Sequence, residues 1–235
     1  GKVRDQLRDR GINSKFLTAK EAKFFVDQYL AQDYTSEHVS LNNFKVGEEQ
    51  IGVGERKFKI YSLVDVDSIV LPTLVRPYTN IEVNNICMPV DLLALIDNVP
   101  EAKSVVFNQV VFLPSQKQEM SKLAKKKNRH SSLPNPSNQI AVDDITRVEE
   151  LVARESKQLV HCHFNLVVTV DKDADIQKCT NYLENAFGRI GIQISQRAYN
   201  QLELFVGSFP GNCYSMNKDY DRFLTLGDAA GCLMY

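Results

Sequence analysis

His161-Cys162-His163 is the densest group of metal-capable side chains in the chain. In an extended strand, residues two apart share a face, so His161 and His163 would present two imidazoles together while Cys162 faces the other way. Two imidazoles leave a tetrahedral site two ligands short, and no cysteine or acid stands at a supporting spacing. The simpler reading places both rings on the outer face of a strand whose other face, Cys162, Phe164, Leu166 and Val168, is core. A thiol on such a face is inert, because reactivity needs an accessible thiolate. Asp65/Asp67, Asp143/Asp144 and Asp173/Asp175 have the residue type for acid–base work. The last two pairs read as helix-start acids that complement free N–H groups. Gly52-Val-Gly54-Glu-Arg-Lys57 imitates a phosphate loop, but its glycines are two apart and Phe58 stands where the hydroxyl should be. It reads as a tight turn. The sequence therefore assigns no catalytic, cofactor-binding or metal-binding residue.

One charged group remains. Ser115 to His130 carries six Lys/Arg and one acid. Within it Lys122, Lys125, Lys126, Lys127 and Arg129 are candidates for contact with a partner or a membrane. Three readings stay open: a solvated surface, contact with an anionic membrane or protein partner, and nucleic-acid binding. Each lysine near an anionic leaflet contributes about 1 kcal/mol.

The elements that must position these residues follow from periodicity. Val3 and Leu7 mark a first helix ending near Gly11, and Thr18-Ala-Lys-Glu21 forms a capping box for a second with Ala22, Phe25, Tyr29 and Leu30 on its buried stripe. Glycine-punctuated alternation between Val39 and Val66 predicts two or three strands, the clearest at 57–66 with Phe58, Ile60 and Val64 on one face. A loop rich in Pro and Asn (Pro72, Pro77, Asn80, Asn84, Asn85, Pro89) leads to a short helix at 90–97 and a strand at 103–113. An insertion at about 114–157 holds the basic stretch, a Pro/Asn/Ser loop at 131–138 and an amphipathic helix from Asp143. A strand at 159–170, a helix at 173–187 with Ile176, Cys179, Leu183 and Phe187 on one side, and a strand at 192–196 complete the order. Without the insertion this is βαββαβ, an α+β, ferredoxin-like antiparallel sheet with helices on one face. RNA-recognition motifs share the order, but the strand at 161–169 has one aromatic and no glycine where those domains carry both.

Composition sets the outer limits. The 235 residues are 43% hydrophobic with a formal net charge of −1, enough apolar material for a core and no global basicity. Five scattered cysteines without Cys-x-x-Cys pairing suit reduced thiols. No apolar run approaches the ~18 residues of a membrane-spanning helix. Gly1 runs directly into helical sequence and Tyr235 falls inside an apolar run, so both ends read as those of a piece excised from a longer chain.

The segments Tyr61-Ser-Leu-Val-Asp-Val-Asp67, Arg76-Pro-Tyr-Thr-Asn-Ile-Glu-Val-Asn-Asn85, Asn135-Pro-Ser-Asn-Gln-Ile-Ala-Val142, Leu183-Glu-Asn-Ala-Phe-Gly188 and Phe209-Pro-Gly-Asn212 resemble the TraG-type (VirB/CagE/TrbE) ATPases of conjugation and type IV secretion in Bacteroides-like conjugative elements. The likeness spans most of 40–235. With the helical segment that periodicity gives at 1–38, it implies a scaffold domain at 39–200 and a connector at 201–235 marked by Phe209, Pro210, Gly211, Asn212 and Arg222. The family's phosphate-binding motifs would lie beyond Tyr235, so ATP and Mg²⁺ belong to a motor domain outside this sequence and these residues are expected to be non-catalytic. The resemblance further implies a cytoplasmic position at the inner face of the bacterial inner membrane. Expected partners are inner-membrane components of the transfer machinery and other copies of the full-length ATPase; nucleic acid is the alternative.

Overall fold

A computed structural model of the chain describes residues 2–39, 41–62, 79–83, 86–90, 94–133, 135–189, 192–196, 199–212, 216 and 221–231. Two helices, α1 (Lys2–Asp9) and α2 (Ala19–Ala31), precede three strands, β1 (Lys45–Val46), β2 (Ile51–Val53) and β3 (Arg56–Ser62). A hairpin of β4 (Thr79–Val83) and β5 (Ile86–Val90) and the short α3 (Ala94–Asp97) lead to β6 (Ala102–Phe112). The helices α4 (Gln116–Ser131) and α5 (Pro136–Glu155) come next, then β7 (Leu159–Asp171) and α6 (Ile176–Gly188). The remainder holds β8 (Ser195–Gln196), α7 (Gln201–Gly207), β9 (Phe223–Leu226) and α8 (Gly227–Gly231).

The fold is α+β, with an antiparallel sheet centred on β7. On one edge β7 pairs with β6 from His161↔Phe112 to Val170↔Ala102. On the other edge it has two partners end to end: β3 covers Asn165 to Asp171, and β9 covers Leu159 to Cys162. Beyond β3 lie β2 at one end and β8 at the other, with β1 outside β2. Among the described residues of 39–66, the strand-rich reading thus resolves into three strands. The glycine pair belongs to the β2–β3 hairpin, where Gly54 at φ +57° opens the two-residue turn between Val53 and Arg56.

Both faces of this sheet are covered, which corrects the expected single helical layer. Phe164, Leu166 and Val168 of β7 pack with Tyr61 against Cys179, Leu183 and Phe187 of α6 and Leu95 of α3. On the other face Val167, Phe58 and Ile60 pack against Leu204 and Phe205 of α7 and Tyr29 of α2. Tyr29 stacks on Phe205 at 5.0 Å and donates its hydroxyl to the Phe205 carbonyl at 3.0 Å, tying α2 to α7. Arg56 adds a second tie, donating to the Gln32 carbonyl at 2.8 Å and pairing with Asp33 at 3.1 Å. Alternate positions of β7 carry His163, Asn165 and Thr169, side chains that sequence patterning assigns to solvent and that the second layer buries completely.

Local chemistry explains the helix ends. Thr18 and Glu21 form the reciprocal capping box, and Gly11, at φ +77°, closes α1 while Ile12 N–H reaches back to the Leu7 carbonyl at 2.9 Å. Asp175 caps α6 by accepting from the Gln177 N–H. Asp143 and Asp144 instead lie inside α5, which begins earlier because Asn135 accepts from the Asn138 N–H and Pro136 occupies the first turn. Val90 belongs to β5 rather than to a helix, and the Pro/Asn-rich stretch contains the β4–β5 hairpin. Val64, Asp65, Asp67, Pro72, Pro77, Asn84 and Asn85 lie outside the described residues.

Two glutamine side chains extend the ladders where strands run out. β2 and β8 leave Ile60 of β3 without a strand partner on that edge. Gln201 fills the gap, accepting from the Ile60 N–H at 2.7 Å and donating to its carbonyl at 3.0 Å. Gln116 does the same for Leu159, with both bonds at 2.8 Å. Each amide presents a donor and an acceptor at the separation of a peptide group. Gln201→Ala would leave buried backbone groups unsatisfied, each costing about 1–3 kcal/mol. The expected outcome is a lower urea midpoint with an unchanged slope, measured by equilibrium unfolding.

Candidate functional site

Helices α4 and α5 form a hairpin arm between β6 and β7, and its root is built from buried polar groups. Gln116, at the first position of α4, holds the start of β7 as described above. One turn on, Glu119 is 4% exposed, with Lys122 Nζ at 2.6 Å and His161 Nε2 at 3.3 Å. Burial pushes the Glu119 carboxyl up, but the Lys122 ammonium and the His161 ring outweigh it and hold the group below its ordinary range. Further out, Lys127 pairs with Glu149 of α5 at 2.8 Å, and His130 Nδ1 lies 2.7 Å from Asn138 Oδ1. Ile145 supplies the buried apolar contact of α5.

This inward arrangement decides what the arm shows to solvent. Gln116, Glu119, Met120, Leu123, Lys127 and His130 occupy the covered side of α4, while Lys117, Lys122, Lys125, Lys126 and Arg129 are exposed. The only acid of α4 is turned in, so its open face carries cations and neutral side chains but no acid. Lys122, Lys125, Lys126 and Arg129 fall at i, i+3, i+4 and i+7, one continuous stripe. The structure separates Lys127 from its neighbours: it is an internal strut rather than part of the stripe. No Phe, Tyr or Trp occurs anywhere in 116–155.

The two imidazoles weighed as a metal pair turn to separate partners. His161 is directed to Glu119, whereas His163 is fully buried. Its Nδ1 lies 2.7 Å from the Asp221 carbonyl, which only accepts, so that nitrogen donates; Nε2 is 2.8 Å from the Asn165 amide nitrogen and accepts. Asn165 continues the seam to Ser208 at 2.7 Å and receives a bond from Asn108 at 2.9 Å. Both ring nitrogens of His163 are thus committed within the protein. Among the described residues, no group of three or more His, Cys, Asp or Glu is placed to hold a metal ion. Cys162, fully buried on the other face, has its thiol pushed up to about 12 by burial, in keeping with an inert core residue.

The Phe209–Asn212 step lies beside this seam. Pro210 and Gly211 are the central residues of a β-turn closed by Asn212 N–H to the Phe209 carbonyl at 2.9 Å, and Gly211 has the positive φ, +88°, that a type II turn demands at its third position. Phe209 meets Tyr29 edge-on at 4.9 Å, and Asn212 donates to the Val206 carbonyl at 3.0 Å. Arg222 lies over the Phe112 ring at 3.5 Å. These residues fasten α7 and β9 to the sheet.

No family model matches the chain, and no curated protein is significantly similar to it. Among the described residues, no helix is long and apolar enough to cross a membrane.

A pH effect follows from Glu119. Its folded-state pKa is depressed, so its stabilisation is complete above the ordinary value of 4.5 and is lost as pH falls through the lower folded value. Glu119→Gln should therefore destabilise the protein at neutral pH, and the gap to wild type should close as the solution is acidified below that range. Urea unfolding of both proteins across pH measures it.

Proposed function

We propose that this chain is a non-catalytic docking scaffold whose basic arm engages an anionic surface of a partner assembly. The observation that carries this reading is the stripe Lys122, Lys125, Lys126 and Arg129 on a helix whose single acid is buried. A solvated helix usually intersperses charges of both signs; concentrating one sign raises the local potential and favours an anionic partner. Nucleic acid is the weaker choice, because the arm has no Phe, Tyr or Trp on which bases could stack and its one imidazole, His130, is turned to Asn138.

The segments that resemble TraG-type ATPases supply a context. In that context the chain is the non-motor part of a conjugative-transfer or type IV secretion ATPase, cytoplasmic and peripheral at the inner membrane, with ATP and Mg²⁺ bound by a separate motor domain. The arm then faces inner-membrane components of the machinery. A ferredoxin-like core is the finer fold reading. It is supported by the order β8-β3-β7-β6, antiparallel at each step, with α3 before β6 and α6 after β7. β1, β2 and β9 then stand as additions to that core.

The test is charge reversal outside the struts. Lys125→Glu, Lys126→Glu and Arg129→Glu together should leave the circular dichroism spectrum and unfolding midpoint unchanged while weakening sedimentation with anionic vesicles and lowering transfer activity of the full protein. Unchanged behaviour in both assays would contradict the docking role. A salt-dependent shift of single-stranded DNA, lost in the triple variant, would favour nucleic acid instead.

A further inference from the structure

Among the described residues, little protects the outer edge of β6, a long strand edge. β6 ends the sheet path, and among the described residues no strand, loop or side chain bonds to its outward backbone groups. Natural edges of this length are guarded by charges, prolines or bulges. Here the guards sit only at the beginning: a register shift between Ala102 and Ser104, and Lys103, which pairs with Asp171 at 3.0 Å. The following eight residues, Val105-Val-Phe-Asn-Gln-Val-Val-Phe112, contain neither charge nor proline. Their apolar side chains are only partly covered, and Val111 is 44% exposed.

We infer that this edge pairs with the same edge of a second copy, joining two sheets across a twofold axis. A twofold axis normal to the sheet makes neighbouring strands antiparallel and keeps each face continuous, so partners must have the same parity. Centred on Asn108, that register sets Val105 opposite Val111 and Val106 opposite Val110 of the other copy, each pair occurring twice, with Asn108 opposite itself. Four valine pairs thus bring β-branched side chains together across both faces, Asn108 meets itself, and Phe107 stands opposite Gln109. Opposed β-branched pairs are the favoured cross-strand contacts of antiparallel sheets. The same segment has the composition that would aggregate if the edge stayed open, high in β-formers and without charge. Closed pairing with an identical edge uses the feature and removes the hazard. This surface is separate from the arm's stripe and does not depend on the docking reading.

The experiment is sedimentation velocity of the whole 235-residue chain over a concentration series, with amide hydrogen exchange read at both ends of the series. The expected result is a reversible dimer, with protection of 105–112 rising as the dimer fills. Val111→Lys should weaken dimerisation at least ~10-fold by setting a charge in the pairing row, while Phe16→Lys, at an exposed site away from β6, leaves it unchanged. Exchange of the unsubstituted chain keeps the test independent of how the variant folds. A chain monomeric throughout the series, or a dimer whose formation leaves 105–112 exchange unaltered, overturns the inference.

Discussion

The pairing of β7 along its whole length is the constraint on which the other elements depend. Its thirteen residues meet β6 on one side and β3 and β9 in series on the other, so three stretches far apart in sequence converge on one backbone. A parallel consequence runs through its two faces. Phe164, Leu166 and Val168 receive α6, whereas Val167 and the polar residues beside it receive α7 and, through Tyr29, α2. Removing a strand with this many partners would leave two helical layers without a common surface, which is why burial is most complete there.

His163 and Asn165 on β7 are tolerated because each has specific partners, whereas the buried Thr169 hydroxyl finds none among the described residues. His163, Asn165 and Ser208 form a seam in which donors face acceptors, and the Phe209–Asn212 turn holds the Ser208 end of it in place. Interior polar groups cost stability unless satisfied, and a satisfied network fixes one packing over its alternatives. The same economy operates at the ladder ends, where Gln116 and Gln201 stand in for absent strand residues. Gln116 has a second consequence: it fixes the start of α4 to β7, so the arm leaves the sheet from a defined point and its basic stripe is presented on a rigid support.

Much of this was legible in the sequence, and the unread parts share a cause. Periodicity located β7 and α6, because Cys162-x-Phe164-x-Leu166-x-Val168 and Ile176, Cys179, Leu183, Phe187 repeat at strand and helix spacing. The capping box at Thr18 and the turn at Gly54 were visible because their chemistry is local. The second helical layer was not, because His163, Asn165 and Thr169 resemble a solvent face, and only the tertiary placement of α7 buries them. Pro and Asn in 72–89 masked the β4–β5 hairpin, and the early start of α5 was hidden in a Pro/Asn/Ser run whose Asn135-Pro136 pair is itself a helix-start signal. The basic cluster was found by composition, but separating Lys127, the strut, from Lys125 and Lys126, the stripe, required knowing which side of α4 faces Glu149. The roles of Gln116 and Gln201 left no sequence signal, since a glutamine that completes a ladder looks like any other.

Native-state hydrogen exchange tests the central role of β7 most directly, because it ranks local openings against global unfolding. The account predicts that amides from Phe164 to Val168 exchange only through global unfolding, with α6 and α7 next, and with α1 and the outer turns of the arm opening at lower free energy. Exchange of the β7 centre at a lower free energy than α2 or α4 would contradict it.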